Sequence, residues 1–398
     1  MDVDDDPIEA AFRTEVAAWL ASVAAPRDHA GGELRRLRPK THEQDQADLE
    51  EARAFQRTIA AAGYAGVHWP EAHGGRGLPA AMGVIVEEER ARFDVPNNAF
   101  MVGIDMAGPT LMAHADADQQ ARWLPGTLRG DLHWCQLFSE PDAGSDLASL
   151  ATRAELDGDE WVVTGQKVWT SHAHLADLGM LLARTDPGAA RRHDGISFFV
   201  VDMASPGIDV RPLRQIDGPA HFNEVFLDEV RIPARNLVGP VHGGWGVART
   251  TLTSERTAIG AGVGVAVADL LALARRCGAS DDPVLRQELA RLHTRRELQR
   301  WLGYRLRTAV SRGQVPGAEA SVMKLLNSHH VEHVGALAIA VQGAAGMLWD
   351  DDAEADGYWQ DAFLFQWSSR IGGGTEQIQR NIIAERVLGL PREPSASP

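Results

Sequence analysis

The sequence predicts an α+β protein in three consecutive blocks: an N-terminal helical domain over 1–130, a middle β domain over 131–240 and a C-terminal helical bundle over 241–398. Three observations carry this. Apolar residues recur at threes and fours up to about position 130, the texture then turns to short β-branched and aromatic runs set between turns, and helical spacing returns after the GPVHGGWG break.

In the first block Ile8, Phe12, Val16, Trp19 and Val23 trace one helix face, and Leu49, Phe55 and Ile59 trace a second that Gly63 stops. The segment 24–46 between them reads as a long loop. Further helices are predicted over 79–92, 98–114 and 117–129, after the turn-rich WPEAHGGRGLP. In the middle block HWCQLF, EWVVTG, KVWTS, LGMLLAR, ISFFVVD and HFNEVFL read as strands separated by turns such as LDGDE and ASPG. Helices follow over 245–277, 283–312, 317–347, 358–370 and 375–388, the last closed by GLP. WDDDAEADGY, 349–358, reads as a solvated loop, and PREPSASP as a frayed tail.

A chain of 398 residues with 44% hydrophobic and 24% charged residues has the composition of a soluble globular protein and excludes disorder. Its two cysteines, Cys135 and Cys277, are too few for a disulfide framework or a cysteine zinc cluster, which fits a reducing compartment. The acidic start MDVDDDPIEA is unlike a secretory signal, so a cytoplasmic location is expected. No apolar stretch is long enough to span a membrane. The net charge of −16 argues against nucleic acid as the partner.

Three motifs carry chemistry. In IGGGTEQIQR, 371–380, the glycines either relax a turn or let a ligand lie against backbone N–H groups, with Thr375 capping the helix that follows. LFSEPDAGSDL, 137–147, packs Ser139, Glu140, Asp142, Ser145 and Asp146 into a turn after a strand, as an ordinary capped loop or a cradle for a polar ring or pyrophosphate. TGQKVWTSHA, 164–173, sets Trp169 and Ser171 on one side of a strand, where an aromatic plane beside a hydroxyl suits either a core or the flank of a flat cofactor. His329 and His330 lack a metal-ligand partner pattern and read as exposed or core residues, and His172 is a pocket candidate.

Together these segments resemble the acyl-CoA dehydrogenase family of flavoproteins. The resemblance runs along nearly the whole chain, through PEAHGGRG, LFSEPDAGSD, GQKVWTS, EVRIPARNLVG, VQGAAG and GGGTEQIQRNIIAERVLGLP in that order. It implies a helical domain, a β-barrel and a four-helix bundle, with FAD held between the β domain and the bundle and completed by a neighbouring subunit. It implies oxidation of an acyl thioester to the trans-2-enoyl form. Carried over by motif, the flavin ring meets the backbone of Phe138 and Ser139, together with Trp169 and Ser171, and Ser145 lies near the pyrophosphate. Gln342, Gly346, Thr375 and Gln377 meet the rest of FAD, partly from another subunit. The implied partners are an acyl-CoA or acyl-carrier thioester, an electron-transfer flavoprotein, and further subunits in a homodimer, homotetramer or hetero-oligomer.

The chain departs from the family pattern in places. Asp142 stands where most relatives have glycine, and the basic-aromatic-glycine motif is reduced to ARRCGASDDP, leaving Arg275 and Arg276 as alternatives for the FAD phosphates. Many relatives carry the catalytic glutamate where this chain has Gly373. A minority supply it from the first long bundle helix, and TLTSERTAIG puts Glu255 there, followed by Arg256, which is assigned to the substrate. Ala248, Leu252, Glu255, Ile259 and Val263 share one helical face, so Glu255 interrupts an apolar stripe, as a structural ion pair or as a base with a pKa raised by desolvation. Gly373 keeps the backbone N–H that, in the family, polarises the thioester carbonyl. The leading reading is an FAD-dependent acyl-CoA dehydrogenase with Glu255 removing the Cα proton. A flavin oxidase or monooxygenase on the same fold and a silent subunit of a mixed assembly are the alternatives.

Overall fold

The computed structural model describes residues 5–27, 40–96, 98–260, 267–311 and 317–392. These form two compact units that do not follow sequence order. One holds 40–86 and 94–255; the other holds 5–27, 87–93 and the described residues from 256 onward.

In the unit that starts the chain, α1 (Pro7–Val23) opens on a capping box in which Asp6 accepts from the N–H groups of Ile8 and Glu9. Phe12, Val16 and Leu20 form its buried face, whereas Ile8 is 71% exposed and Val23 43% exposed. The expected stripe is therefore corrected at both ends. The face is an i, i+4, i+8 line that ends at Leu20. Arg13 joins this helix to Glu88 and Glu89 at 2.7 and 3.0 Å.

The larger unit contains α2 (His42–Ala61), most of α3 (Ala80–Arg90), α4 (Gly108–His114) and α5 (Ala117–Arg129). A capping box at Thr41 starts α2 inside the segment expected to be loop; 28–39 lie outside the described residues. Residues Val102–Ala107 wind as a π-helix leading into α4. Then come β1 (Trp134–Leu137), β2 (Arg153–Asp157), β3 (Glu160–Ser171), β4 (Leu178–Arg184), β5 (Ile196–Asp202), β6 (Ile208–Leu213), β7 (Phe222–Pro233) and β8 (Leu237–Val238).

The strands form one sheet in the order β6-β7-β3-β2-β4-β5-β8, with β1 parallel to β4. Leu181, Phe199 and Val201 share a core with Trp161, Val163, Val225 and Val230, so strands far apart in the sheet bury one common interior and the sheet curls in a barrel-like manner. The helix α6 (Gly244–Gly260) follows.

In the helical unit α7 (Val267–Arg276), α8 (Pro283–Ser311), α9 (Glu319–Gln342) and α10 (Tyr358–Ile371) pack around Leu270, Leu273, Leu292, Leu337, Val341 and Trp359, a four-helix core. The helix expected over 245–277 is described as α6 and α7, with 261–266 outside the described residues. The short α11 (Glu376–Ile382) runs into a π turn over Ile383–Val387. The expected loop at 349–358 is corrected. It winds as two 3₁₀ turns, buries Ala353 and Gly357, and pairs Glu354 with Arg276 at 2.7 Å.

Candidate active site

Strand β1 delivers the chain into the polar turn. Phe138 is buried edge-on against Phe198, and the Ser139 carbonyl accepts from the N–H of Val168 on β3 at 2.9 Å. Beneath the turn lies Lys167, which is 0% exposed. Its Nζ donates to the Phe138 carbonyl at 3.1 Å and to Glu140 Oε1 at 2.8 Å. Glu140 also accepts from the N–H groups of Ala151 and Thr152 at 2.6 and 2.9 Å. Burial raises the Glu140 carboxyl, but the Lys167 ammonium and these N–H groups more than offset it, so it lies below its usual range. Burial pushes the Lys167 ammonium down to about 8, against the opposing pull of Glu140.

The same turn leaves Asp142, Ser145 and Asp146 exposed, with Asp146 paired to Arg192 at 3.0 Å. On β3 the pairing with β7 shifts register between Lys167 and Thr170, and Trp169 takes φ +60. This bulge corrects the strand argument, because simple alternation no longer decides whether Trp169 and Ser171 share a face. Trp169 is 61% exposed and lies edge-on to Phe222, Ser171 is half-buried, and Thr170 Oγ1 is buried with no hydrogen-bond partner among the described residues. His172 is exposed at φ +51, with its ring 5.8 Å from that of His221.

Helix α6 buries Val247, Ala248 and Thr251 on the face that continues to Glu255. Thr251 is bonded to Thr110 at 2.9 Å and Thr250 to His114 at 2.8 Å, which sets the helix against α4. Glu255 is half-buried, and Gln136 Nε2 on β1 donates to its Oε2 at 3.3 Å. The glutamate expected from the apolar stripe is thus tied to the strand that leads into the Phe138–Ser139 turn. The side chains of Arg256 and Ile259, and Val263 altogether, lie outside the described residues.

The glycine turn belongs to the helical unit. Gly373 and Gly374 take φ +65 and +88, a left-handed path that only glycine follows cheaply, and Thr375 caps α11 by accepting from the Ile378 N–H. Gln379 Nε2 donates to both glycine carbonyls at 3.0 and 3.2 Å. Thr375 and Gln377 line a pocket of about 220 Å³ with Trp367, Arg370, Ile371 and Glu376. Arg370 grips Glu376 in a fork at 2.8 and 2.9 Å and reaches Glu332 at 2.9 Å; this contact holds the Glu376 carboxyl below its usual range.

Gln342 accepts from Gln360 at 3.3 Å, and the Gly346 carbonyl accepts from the same amide. Of the two arginines left open, Arg276 is engaged by Glu354, and Arg275 is exposed without a bond among the described residues. His329 lies 3.3 Å from Glu376, and His330 is core. Among the described residues no group of His, Cys, Asp and Glu is arranged to hold a metal, and no helix is long and apolar enough to cross a membrane.

Sequence reasoning singled out Glu140 but passed over Lys167, Gln136 and Arg370. A lysine and a glutamine inside otherwise apolar strands, KVW and WCQL, were the available signal.

The models of the acyl-CoA dehydrogenase N-terminal, middle and C-terminal domains match residues 9–131, 135–230 and 242–388 in that order. The chain belongs to the acyl-CoA dehydrogenase family. This dehydrogenase is 44% identical over 391 residues to acyl-CoA dehydrogenase IpdE1 of Mycobacterium tuberculosis, covering 96% of this chain and 98% of that one. Among solved structures it is similar to the Tcur3481-Tcur3483 steroid ACAD, with TM-score 0.81 and 29% identity over 99% of this chain and 100% of that one. It is also similar to the ChsE4-ChsE5 complex from Mycobacterium tuberculosis, with TM-score 0.78 and 28% identity over 99% and 100% of the two chains.

Proposed function

We propose that this chain is the base-bearing subunit of an FAD-dependent dehydrogenase that converts a steroid-derived, polycyclic acyl-CoA to its trans-2-enoyl thioester, with Glu255 as the base. The observation that carries this reading is the Glu255 carboxylate, half-buried on α6 and hydrogen-bonded by Gln136 from the strand that enters the Phe138–Ser139 turn. The steroid ACAD and the ChsE4-ChsE5 complex supply the substrate class and the expectation of a mixed assembly. Exposed Trp367, Ile371 and Met347 on the helical unit favour a partner subunit as well. An electron-transfer flavoprotein is the proposed acceptor.

The residues present suit FAD. The hydroxyls of Ser139, Ser145 and Ser171 form no hydrogen bond among the described residues, Thr170 Oγ1 is buried and unpartnered, and open space lies beside Gly144. Phe138, Ser139, Trp169 and Ser171 would hold the ring, Ser145 and Arg275 the phosphates, and Gln342, Gly346, Thr375 and Gln377 the remainder, some of it in the partner's site. Bound there, FAD would supply the hydride acceptor for the oxidation.

The chain supplies the remaining steps. Glu255 takes the Cα proton while Gln136 orients its carboxylate. The family resemblance assigns the Gly373 N–H to the thioester carbonyl, which makes that proton acidic enough to transfer. Arg256, next on the helix, is proposed to meet the substrate. Glu255→Gln is expected to keep FAD and substrate binding and to slow flavin bleaching by ~10²–10⁴-fold in stopped flow with a steroid-derived thioester. An unchanged rate removes Glu255 as the base. Adding Gly373→Glu returns part of the rate only, because a side chain at φ +65 is strained.

A further inference from the structure

We propose that the buried Lys167–Glu140 pair is a positioning device for the cofactor, fixing the main chain of Phe138 and Ser139 against β3 so that this edge meets the flavin ring in one geometry. The inference rests on the reading of that turn as the flavin edge.

Its basis is the way three chain segments converge on one ammonium and one carboxylate. Lys167 Nζ reaches the Phe138 carbonyl and Glu140, Glu140 reaches the N–H groups of Ala151 and Thr152, and the Val168 N–H, one residue on, holds the Ser139 carbonyl. Stability alone does not call for a charged pair here, since apolar residues of similar volume hold a core as well or better. What an apolar side chain cannot do is donate to a main-chain carbonyl. Of the pair's four side-chain hydrogen bonds, the one to Phe138 O acts on a residue assigned to the ring.

The turn has the opposite character on its outer side, where Pro141, Asp142, Gly144 and Ser145 are exposed. Within the turn only Ala143 is buried, exchanging backbone hydrogen bonds with Glu140, so the local closure of the turn and the anchor below both bear on the Glu140 segment. Lys167 sits at the start of the register shift that turns Trp169 to φ +60, so one residue serves both the turn and the bulge.

The test compares the full chain in its native assembly, Lys167→Met, and the double variant Lys167→Met with Glu140→Gln. The double variant leaves no buried charge, and its amide oxygen can still accept from one of the two N–H groups that Glu140 meets on separate oxygens, so it loses less stability than the single variant. The readouts are the melting temperature of the apoprotein, FAD affinity by fluorescence titration and the visible spectrum of bound flavin.

The expected result is a double variant that melts close to wild type, binds FAD about 10- to 100-fold more weakly, and shows a shifted flavin band. A purely structural pair predicts the reverse, a double variant that melts well below wild type with unchanged FAD affinity and spectrum; wild-type affinity and spectrum, at any melting temperature, overturn the positioning role. Wild-type protein that takes up no FAD overturns the proposed function itself. Uptake by wild type with unaltered variants overturns the positioning role alone.

Discussion

The two compact units bury ionisable side chains in opposite ways. In the sheet unit Lys167 is fully enclosed with a carboxylate at 2.8 Å. In the helical unit His330 is 1% exposed, and neither ring nitrogen has a hydrogen-bond partner among the described residues. Burial, with Arg296 and Arg295 close by, lowers that imidazole to about 4, so it is carried neutral. A paired charge can hold a backbone in place, because its hydrogen bonds are directional and costly to break. A neutral, unpartnered ring only fills space. The difference extends to the two turns assigned to the cofactor, since one is fixed by a buried ion pair and the other by glycine dihedrals and a cap.

The sharpest way to break this contrast is to remove one half of the pair. Lys167→Met leaves Glu140 charged and buried and is expected to destabilise the sheet unit by about 3–5 kcal/mol in urea unfolding. A loss under 1 kcal/mol would mean that water already reaches the carboxylate.

The second test is acidification. His330 has its folded pKa below the usual 6.5, so the unfolded chain binds the extra proton, and the stability due to the neutral ring is complete above pH 6.5 and is lost as pH falls towards 4. The expected loss between pH 8 and pH 5 is about 2 kcal/mol from this residue. His330→Leu should remove that increment from the pH dependence, with Arg295, Arg296 and His333 left to face an apolar group. An identical pH slope in the variant would show that the ring is hydrated in solution.

The third comparison sets two glycines against each other. Gly374→Ala is expected to cost about 1–2 kcal/mol, from φ +88 and a Cβ placed 2.6 Å from the movable Gln379 amide. Gly144→Ala, with nothing within 4 Å of the new Cβ, is expected to change the unfolding free energy by less than the ~0.5 kcal/mol typical of surface positions. Equal effects would mean that the glycine turn is not held in its left-handed path.

Much of this molecule was legible in the sequence because its signals are local and periodic. The helical, β and helical textures, the cap at Thr375, the π-preceded helix ending near 114 and the face leading to Glu255 all follow from spacing within a few residues. The family followed from the order of the motifs. What spacing missed depended on contacts between distant segments. Nothing within KVWTS announces a bulge, because the register shift arises from the pairing of β3 with β7. Nothing near position 8 says that the buried line of α1 runs through Leu20 and leaves Ile8 exposed, since burial of a helix face is decided by segments distant in sequence. Lys167 drew no reading from the sequence, because the segment at 138–140 that meets its ammonium is distant along the chain.

The grouping of α1 with residues 87–93 and the bundle has a consequence for synthesis. As the chain emerges from the ribosome, residues 40–255 hold everything the sheet unit needs except the interruption at 87–93, so that unit can gain its core while translation continues. The first helix must wait. Its apolar line of Phe12, Val16 and Leu20 belongs to the unit that residues from 256 onward complete, so it is translated well before most of that unit and has the longer need for protection from aggregation.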